Sequence, residues 1–127
     1  MEYSGFGERI IQLGNTAERQ MVEEFLKRQG LMLDKDVEYT IALMDGDAIA
    51  AVGSFCGNVL KCIAIDPKLQ GMAVSNRIVS NLINEEYYRG RTHLFIFTKP
   101  VYKSIFEDLG FYTIEEIPSK VILLENV

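Results

Sequence analysis

The stretch "VLKCIAIDPKLQGMAVSNRIVSNLI", residues 59–83, decides the fold. Its first part, Val59 to Asp66, is nearly all apolar. Such a run predicts a strand covered on both faces, near the middle of a sheet. Asp66 before Pro67 is a strand-ending turn residue. From Val74 the apolar period lengthens: Val74, Ile78, Val79, Leu82 and Ile83 fall on one helical stripe. A central strand therefore passes through a short turn into a long helix, which runs toward Arg89 and stops at Gly90. The turn is made of small or flexible residues. The first turn of a helix carries N–H groups without intrahelical partners, and the macrodipole adds positive charge there. A turn of this kind is either a plain connection or an anion cradle.

Upstream, Tyr39, Ile41 and Leu43 alternate with polar or smaller residues, the period of a strand. Asp45-Gly46 predicts a hairpin turn of the kind that needs positive φ. The next strand runs from Asp47 to Cys56, and Gly57-Asn58 turns the chain into the strand at 59–66. These three strands form an antiparallel meander. Before them, "NTAERQMVEEFLKRQG" (15–30) is a helix. Asn15 and Glu18 have capping-box spacing. Met21, Val22, Phe25 and Leu26 recur at helical intervals, Lys27 and Arg28 suit the negative end, and Gly30 stops it. "RIIQL" (9–13) predicts a short first strand. "SGFGER" (4–9) reads as a flexible lead-in, because its glycines lack the strand–turn–helix context of a nucleotide fingerprint.

Downstream, "THLFIFT" (92–98) predicts an apolar strand. Pro100 opens a short helix that ends near Leu109-Gly110. "FYTIEE" and "SKVILLEN" are the last two strands, separated by Pro118. This order predicts an α/β (α+β layered) fold: a mixed, mostly antiparallel central sheet of about six to seven strands, flanked by helices.

The chain has 127 residues, 48% hydrophobic and 24% charged, which suits one domain with its own core. Its formal net charge is −5, from 13 Lys and Arg against 18 Asp and Glu. No basic block appears, which argues against duplex nucleic acid. No apolar run is long enough to span a bilayer. No charged-then-apolar leader opens the sequence, so a cytoplasmic location is the default expectation. Cys56 and Cys62, on neighbouring strands, read as buried reduced thiols. The missing Cys/His spacing argues against a zinc site.

The element order, with "IAIDPKLQGMAVSNRIVSNL" (63–82) and "KPVYKSIFEDLGFYTI" (99–114), resembles the acyl-coenzyme A dependent N-acetyltransferase (GNAT) superfamily over essentially the whole chain. In that superfamily the central strand leads into a turn of pattern R/Q-x-x-G-x-G/A and then the long helix. Gln70 fits, whereas Ala73 and Ser75 stand where the pattern has Gly and Gly or Ala. The resemblance implies that the pyrophosphate of coenzyme A or acetyl-coenzyme A sits on the turn. Gln70, Gly71, Met72, Ala73, Val74 and Ser75 would hold it, with Lys68 or Arg77 at the rim. It also implies a slot for the pantetheine arm between two splayed strands. Ala64, Ile65 and Asp66 would line one side, and Phe95, Ile96 and Phe97 the other. The amide of Ile65 is then a donor to the thioester oxygen, which gains charge on attack. The superfamily often places a tyrosine four residues before the glycine of its "GF" motif. Phe106 occupies that position here, leaving Tyr102, one helical turn earlier, as the candidate general acid.

More narrowly, the glycine-poor turn and the ending "GFYTIEEIPSKVILLENV" look like the N-terminal domain of the citrate (pro-3S)-lyase ligases. That family uses ATP and acetate to acetylate a thiol on the coenzyme-A-like arm of the acyl-carrier subunit of citrate lyase. Its H-x-G-H adenylation motif lies on a following nucleotidyltransferase domain. The histidine of this chain is His93, so the motif is absent here. This resemblance implies one domain over 1–127, the N-terminal part of a longer ligase, with a dephospho-coenzyme-A-like carrier arm as ligand. ATP would then be used only on the missing domain. Two alternatives stand beside it: a free-standing N-acetyltransferase acting on an amine, and a non-catalytic docking domain. His93 reads as a structural histidine. Glu85, Glu86, Tyr87 and Tyr88 read as the solvated end of the long helix, and Glu115 and Glu116 as exposed strand-end charges.

Overall fold

Among the described residues every strand has an antiparallel neighbour. The computed structural model describes residues 6–69 and 73–126. Its elements are β1 (Phe6–Ile10), α1 (Thr16–Arg28), β2 (Tyr39–Asp45), β3 (Ala48–Cys56), β4 (Val59–Ile65), α2 (Val74–Tyr88), β5 (Phe95–Thr98), α3 (Lys103–Asp108), β6 (Tyr112–Ile117) and β7 (Val121–Glu125). Short 3-10 turns at Pro67–Leu69 and Pro100–Tyr102 follow β4 and β5. The sheet order is β1-β2-β3-β4-β5-β7-β6, so β4 lies in the middle. β4 and β5 are the parallel pair; α2 makes the crossover between them. This is the expected mixed, mostly antiparallel sheet.

Alternation along the strands builds two cores. On one face Ile41, Leu43, Phe55, Ile63 and Ile65 pack with Val74, Ile78 and Leu82 of α2. On the other, Ala42, Val52 and Ala64 pack with Val22, Phe25 and Leu26 of α1. β3 and β4 are covered on both sides, which is why their sequences read as unbroken apolar runs. Gly53 lets α2 approach: a Cβ there would sit 2.6 Å from Leu82 Cδ1 and 3.2 Å from Ile78 Cγ2. Gly53→Val should therefore cost about 2 kcal/mol by overpacking, read as a lower denaturant midpoint at unchanged slope.

Several expectations need correction. The first strand is Phe6–Ile10 and not 9–13. It is an edge strand exposed at all but Phe6, so no apolar alternation marks its limits. Gly7 lies within it, so "SGFGER" is no mere lead-in from Phe6 on; Ser4 and Gly5 fall outside the described residues. The capping box is half made. Asn15 Oδ1 accepts the Glu18 N–H at 3.1 Å, but Glu18 Oε1 accepts from the Gln12 N–H at 3.2 Å. The first hairpin turns at Gly46-Asp47, since Asp45 still pairs with Ala48. Glu86 is fully buried, not solvated. It continues the inward stripe of Val79 and Leu82, and Arg91 folds back onto it at 2.6 Å.

Candidate functional site

β4 and β5 pair at two positions, Val59↔Phe95 and Leu60↔Ile96, and then part. Each strand follows its outer neighbour. Ala64 and Ile65 stay in register with Val52 and Ala51 of β3. Phe97 and Thr98 stay with Leu123 and Ile122 of β7. The sheet therefore opens into a fork beyond Leu60. A bulge in β4 helps to turn it: the register with β3 shifts between Val52 and Ser54, and Cys62 adopts φ 55. Bulges bend a strand and re-aim its side chains. Lys61 and Cys62, adjacent in sequence, consequently line the same cavity.

Tyr102 comes from the 3-10 turn after β5 and reaches across the fork. Its hydroxyl accepts the Ile65 N–H at 3.1 Å, and its side chain is 2% exposed. The structure thus brings together two residues singled out in the sequence, the candidate acid and the candidate oxyanion donor. Ala64 and Ile65 are themselves buried. Phe106, in the position where the superfamily often has tyrosine, is buried edge-to-face against Phe111.

Immediately after β4, Asp66 Oδ1 accepts the Lys68 N–H, a local turn bond. Gln70, Gly71 and Met72 lie outside the described residues. Ala73 is the N-cap of α2 and supplies no capping side chain. Val74 and Ser75 follow as the first helical residues, both buried. Arg77 Nη1 donates to the Phe6 carbonyl at 3.2 Å, which ties α2 to β1.

His93 is structural: Nε2 meets Glu125 Oε2 at 2.8 Å, and Tyr112 donates to the other carboxylate oxygen at 2.9 Å. These two hydrogen bonds hold the Glu125 carboxyl below its ordinary range. Both cysteines are free; Cys62 is buried and Cys56 half-buried. Burial raises the Cys62 thiol, so it stays protonated at neutral pH. Among the described residues, no group of His, Cys, Asp or Glu is placed to hold a metal, and no helix is long and apolar enough to cross a membrane.

On the α1 side the fork opens into a cavity of about 800 Å³, lined by Met32, Lys61, Cys62, Phe97 and Thr98 among others. The sequence reading missed Lys61, Cys62 and Thr98. One signal was present: a lone lysine in the otherwise apolar "VLKCIAI" is what a bulged strand tolerates.

No family model matches the chain. In sequence, it is similar to the citrate (pro-3S)-lyase ligase of Haemophilus influenzae, 38% identical over 107 residues, which are 84% of this chain and 32% of the relative. The ligase of Klebsiella pneumoniae is 36% identical over 118 residues, 93% of this chain and 34% of the relative. The chain thus spans about a third of the length of the curated relatives it matches. In structure, an acyl-CoA N-acyltransferase from Pseudomonas aeruginosa superimposes with TM-score 0.76 at 10% identity, over 96% of this chain and 99% of the other. The N-acetylglutamate synthase of Neisseria gonorrhoeae, solved with coenzyme A and N-acetyl-glutamate, gives TM-score 0.67 at 18% identity, over 95% of this chain and 34% of that one. Seven strands, a forked centre and matches of both kinds converge: the chain is a domain of the acyl-coenzyme A N-acyltransferase (GNAT) fold, related in sequence to the citrate (pro-3S)-lyase ligases.

Proposed function

We propose that residues 1–127 form the acyl-coenzyme A or acyl-carrier binding, acetyltransferase-like domain of a cytoplasmic citrate lyase ligase. The observation that carries this reading is the fork beyond Leu60, with Tyr102 bonded to the Ile65 amide inside it. A pantetheine arm is long, flexible and rich in amides. A slot between two parted strands offers it backbone groups beyond the stretch where β4 and β5 pair. The turn at Gln70, Gly71, Met72 and Ala73, with Val74 and Ser75 of α2, would take the diphosphate. The Cβ of Ala73 is a small obstruction to it, which would weaken the contact more than abolish it, and the helix amides and dipole favour the charge. The ligand would be coenzyme A, acetyl-coenzyme A or the coenzyme-A-like arm of the acyl-carrier subunit of citrate lyase. Activation of acetate by ATP would belong to a nucleotidyltransferase domain in the remaining two thirds of such a ligase.

One observation favours catalysis by this domain itself. The Tyr102 hydroxyl is within hydrogen-bond reach of the amide that would face a thioester oxygen. A hydroxyl there is placed to return a proton to a leaving thiolate. On that reading the chain moves acetyl from acetyl-coenzyme A to an amine.

Thermal unfolding with coenzyme A tests the binding claim. A ligand that binds the folded state alone stabilises it by about 2.7 kcal/mol at a hundredfold excess over Kd. The expected result is a rise in Tm that grows with the logarithm of coenzyme A concentration. No rise at millimolar ligand would leave a docking domain. Turnover of acetyl-coenzyme A with a panel of amines, lost in Tyr102→Phe, would select the acetyltransferase reading.

A further inference from the structure

The two faces of the sheet are covered unequally. On the α2 side the buried core runs from Phe6 of β1 to Leu124 of β7. On the α1 side it stops at β4: no buried member of that core comes from β5, β6 or β7. A single helix is about two strand spacings wide, so α1 cannot lie over both halves of a seven-stranded sheet. The uncovered half is apolar. Ile96, Thr98, Ile122 and Leu124 face inward and are buried. Their alternates, Phe95, Phe97, Val121 and Leu123, share the open face with Tyr112 and Ile117 of β6. Register joins them: Phe97 pairs with Leu123, Val121 pairs with Ile117, and Glu125 lies between Phe95 and Tyr112. Phe97 and Tyr112 are each 46% exposed and Ile117 52%. A solvated face of an antiparallel sheet ordinarily alternates to polar residues. A contiguous apolar one marks an association surface. Phe97 and Val121 also border the cavity beside the fork; the other four do not.

Three features fit this surface to a second copy of the same chain. It is the face of a sheet, and two sheet faces pack about 10 Å apart with their strands nearly aligned. Its two ends carry opposite charge. Lys99 and Lys120 stand where β5 ends and β7 begins, and Glu125 stands at the other end. Both lysines lie on the α1 side: Lys99 Nζ donates to the Gln29 carbonyl, and Lys120 borders the fork cavity. A two-fold axis running across the strands lays the lysine end of each copy over the glutamate end of the other. The outer edge, in contrast, is blunted. β6 has a register irregularity between Thr113 and Glu115, and it carries Glu115 and Glu116 in succession. Bulges and charges are the devices by which edge strands avoid pairing. Contact is therefore by faces and not by edges.

We infer that the open face of β5, β7 and β6 is where two copies of the chain associate as a weak two-fold dimer. Strands of 4, 5 and 6 residues, set about 4.8 Å apart, offer on the order of a few hundred Å² per copy. That is below the ~800 Å² per partner of a standard interface, so dimer and monomer exchange in the micromolar to millimolar range. In the dimer the second copy borders the fork cavity at Phe97 and Val121.

Sedimentation velocity from micromolar to millimolar protein tests this. The sedimentation coefficient should rise with concentration from the monomer value toward that of a dimer, and less steeply in high salt. Ile117→Lys and Leu123→Lys each place a charge in the interface twice, and each should raise the dimer Kd at least about tenfold. Lys120→Glu should weaken the dimer as well. Ile10→Lys, on the β1 edge and 57% exposed in the wild type, should leave Kd unchanged. Melting curves check that each variant is folded. A monomer at every concentration, undiminished association in folded Ile117→Lys, or loss of the dimer in Ile10→Lys would overturn the assignment. Coenzyme A binding, measured on the same samples, is a separate result: its failure leaves this inference standing, and the reverse also holds.

Discussion

Replacing Tyr102 with alanine should lower the unfolding free energy by about 4 kcal/mol. Tyr102 is among the largest fully buried side chains of the chain. Its loss opens a cavity beneath the fork and also removes the hydroxyl to which the Ile65 amide donates. Tyr102→Phe separates the two contributions. The ring stays and the hydroxyl goes, so the cost should be smaller, about 1 kcal/mol for one lost buried hydrogen bond. Urea unfolding of the three proteins checks this. Equal losses in both variants would mean that the ring contributes nothing beyond its hydroxyl. A neutral Tyr102→Phe would mean that the hydrogen bond to Ile65 does not hold the fork. If the domain turns over acetyl-coenzyme A, Tyr102→Phe should also cut the rate by about a hundredfold, the usual size of a lost general acid.

The second large effect lies at the far end of α2. Arg91 donates to the fully buried Glu86 at 2.6 Å. Its guanidinium also lies 5.5 Å from the Phe55 ring centre, and Arg89 lies 5.1 Å from the same ring. Burial pushes the Glu86 carboxyl above the ordinary range, against the pull of Arg91. Arg91→Ala leaves that carboxyl buried without its partner and should cost about 3–5 kcal/mol at neutral pH.

The sign of the pH dependence follows. With Arg91 gone, burial acts unopposed, and folded Glu86 binds its proton more tightly than the unfolded chain does. Stability of the variant then falls as pH rises from the ordinary carboxylate range through the raised value, and part of the loss is recovered as pH is lowered. A difference between variant and wild type that stays constant with pH would show that the arginine acts through packing alone. Adding Glu86→Gln to Arg91→Ala should restore stability at neutral pH.

The middle of the fold was legible because its signals are continuous. β4 and α2 announce themselves by an unbroken apolar run and then a change of period. The Schellman-type end of α1 was visible in Gly30, whose N–H bonds back to Lys27 while that of Leu31 bonds to Leu26. β1 was misplaced because an exposed edge strand carries no burial pattern to read. Glu86 was misread because its partner lies beyond the helix end, where side-chain spacing within α2 says nothing. For the site, Tyr102 was found through helical spacing from Phe106. Its bond to Ile65 was not legible: it exists because the α2 crossover brings β5 beside β4, and that is a property of topology. The bulge at Cys62 was hidden for the same reason, since it depends on what the neighbouring strand does.

A nitrogen-15 NMR titration with coenzyme A tests the central claim most directly, because it reports which amides meet the ligand. The account predicts that the largest shifts fall on Ile65, at the end of β4, and on Ala73, Val74 and Ser75, at the start of α2. Binding that leaves those amides unmoved and perturbs residues elsewhere, or no perturbation at millimolar coenzyme A, would contradict it.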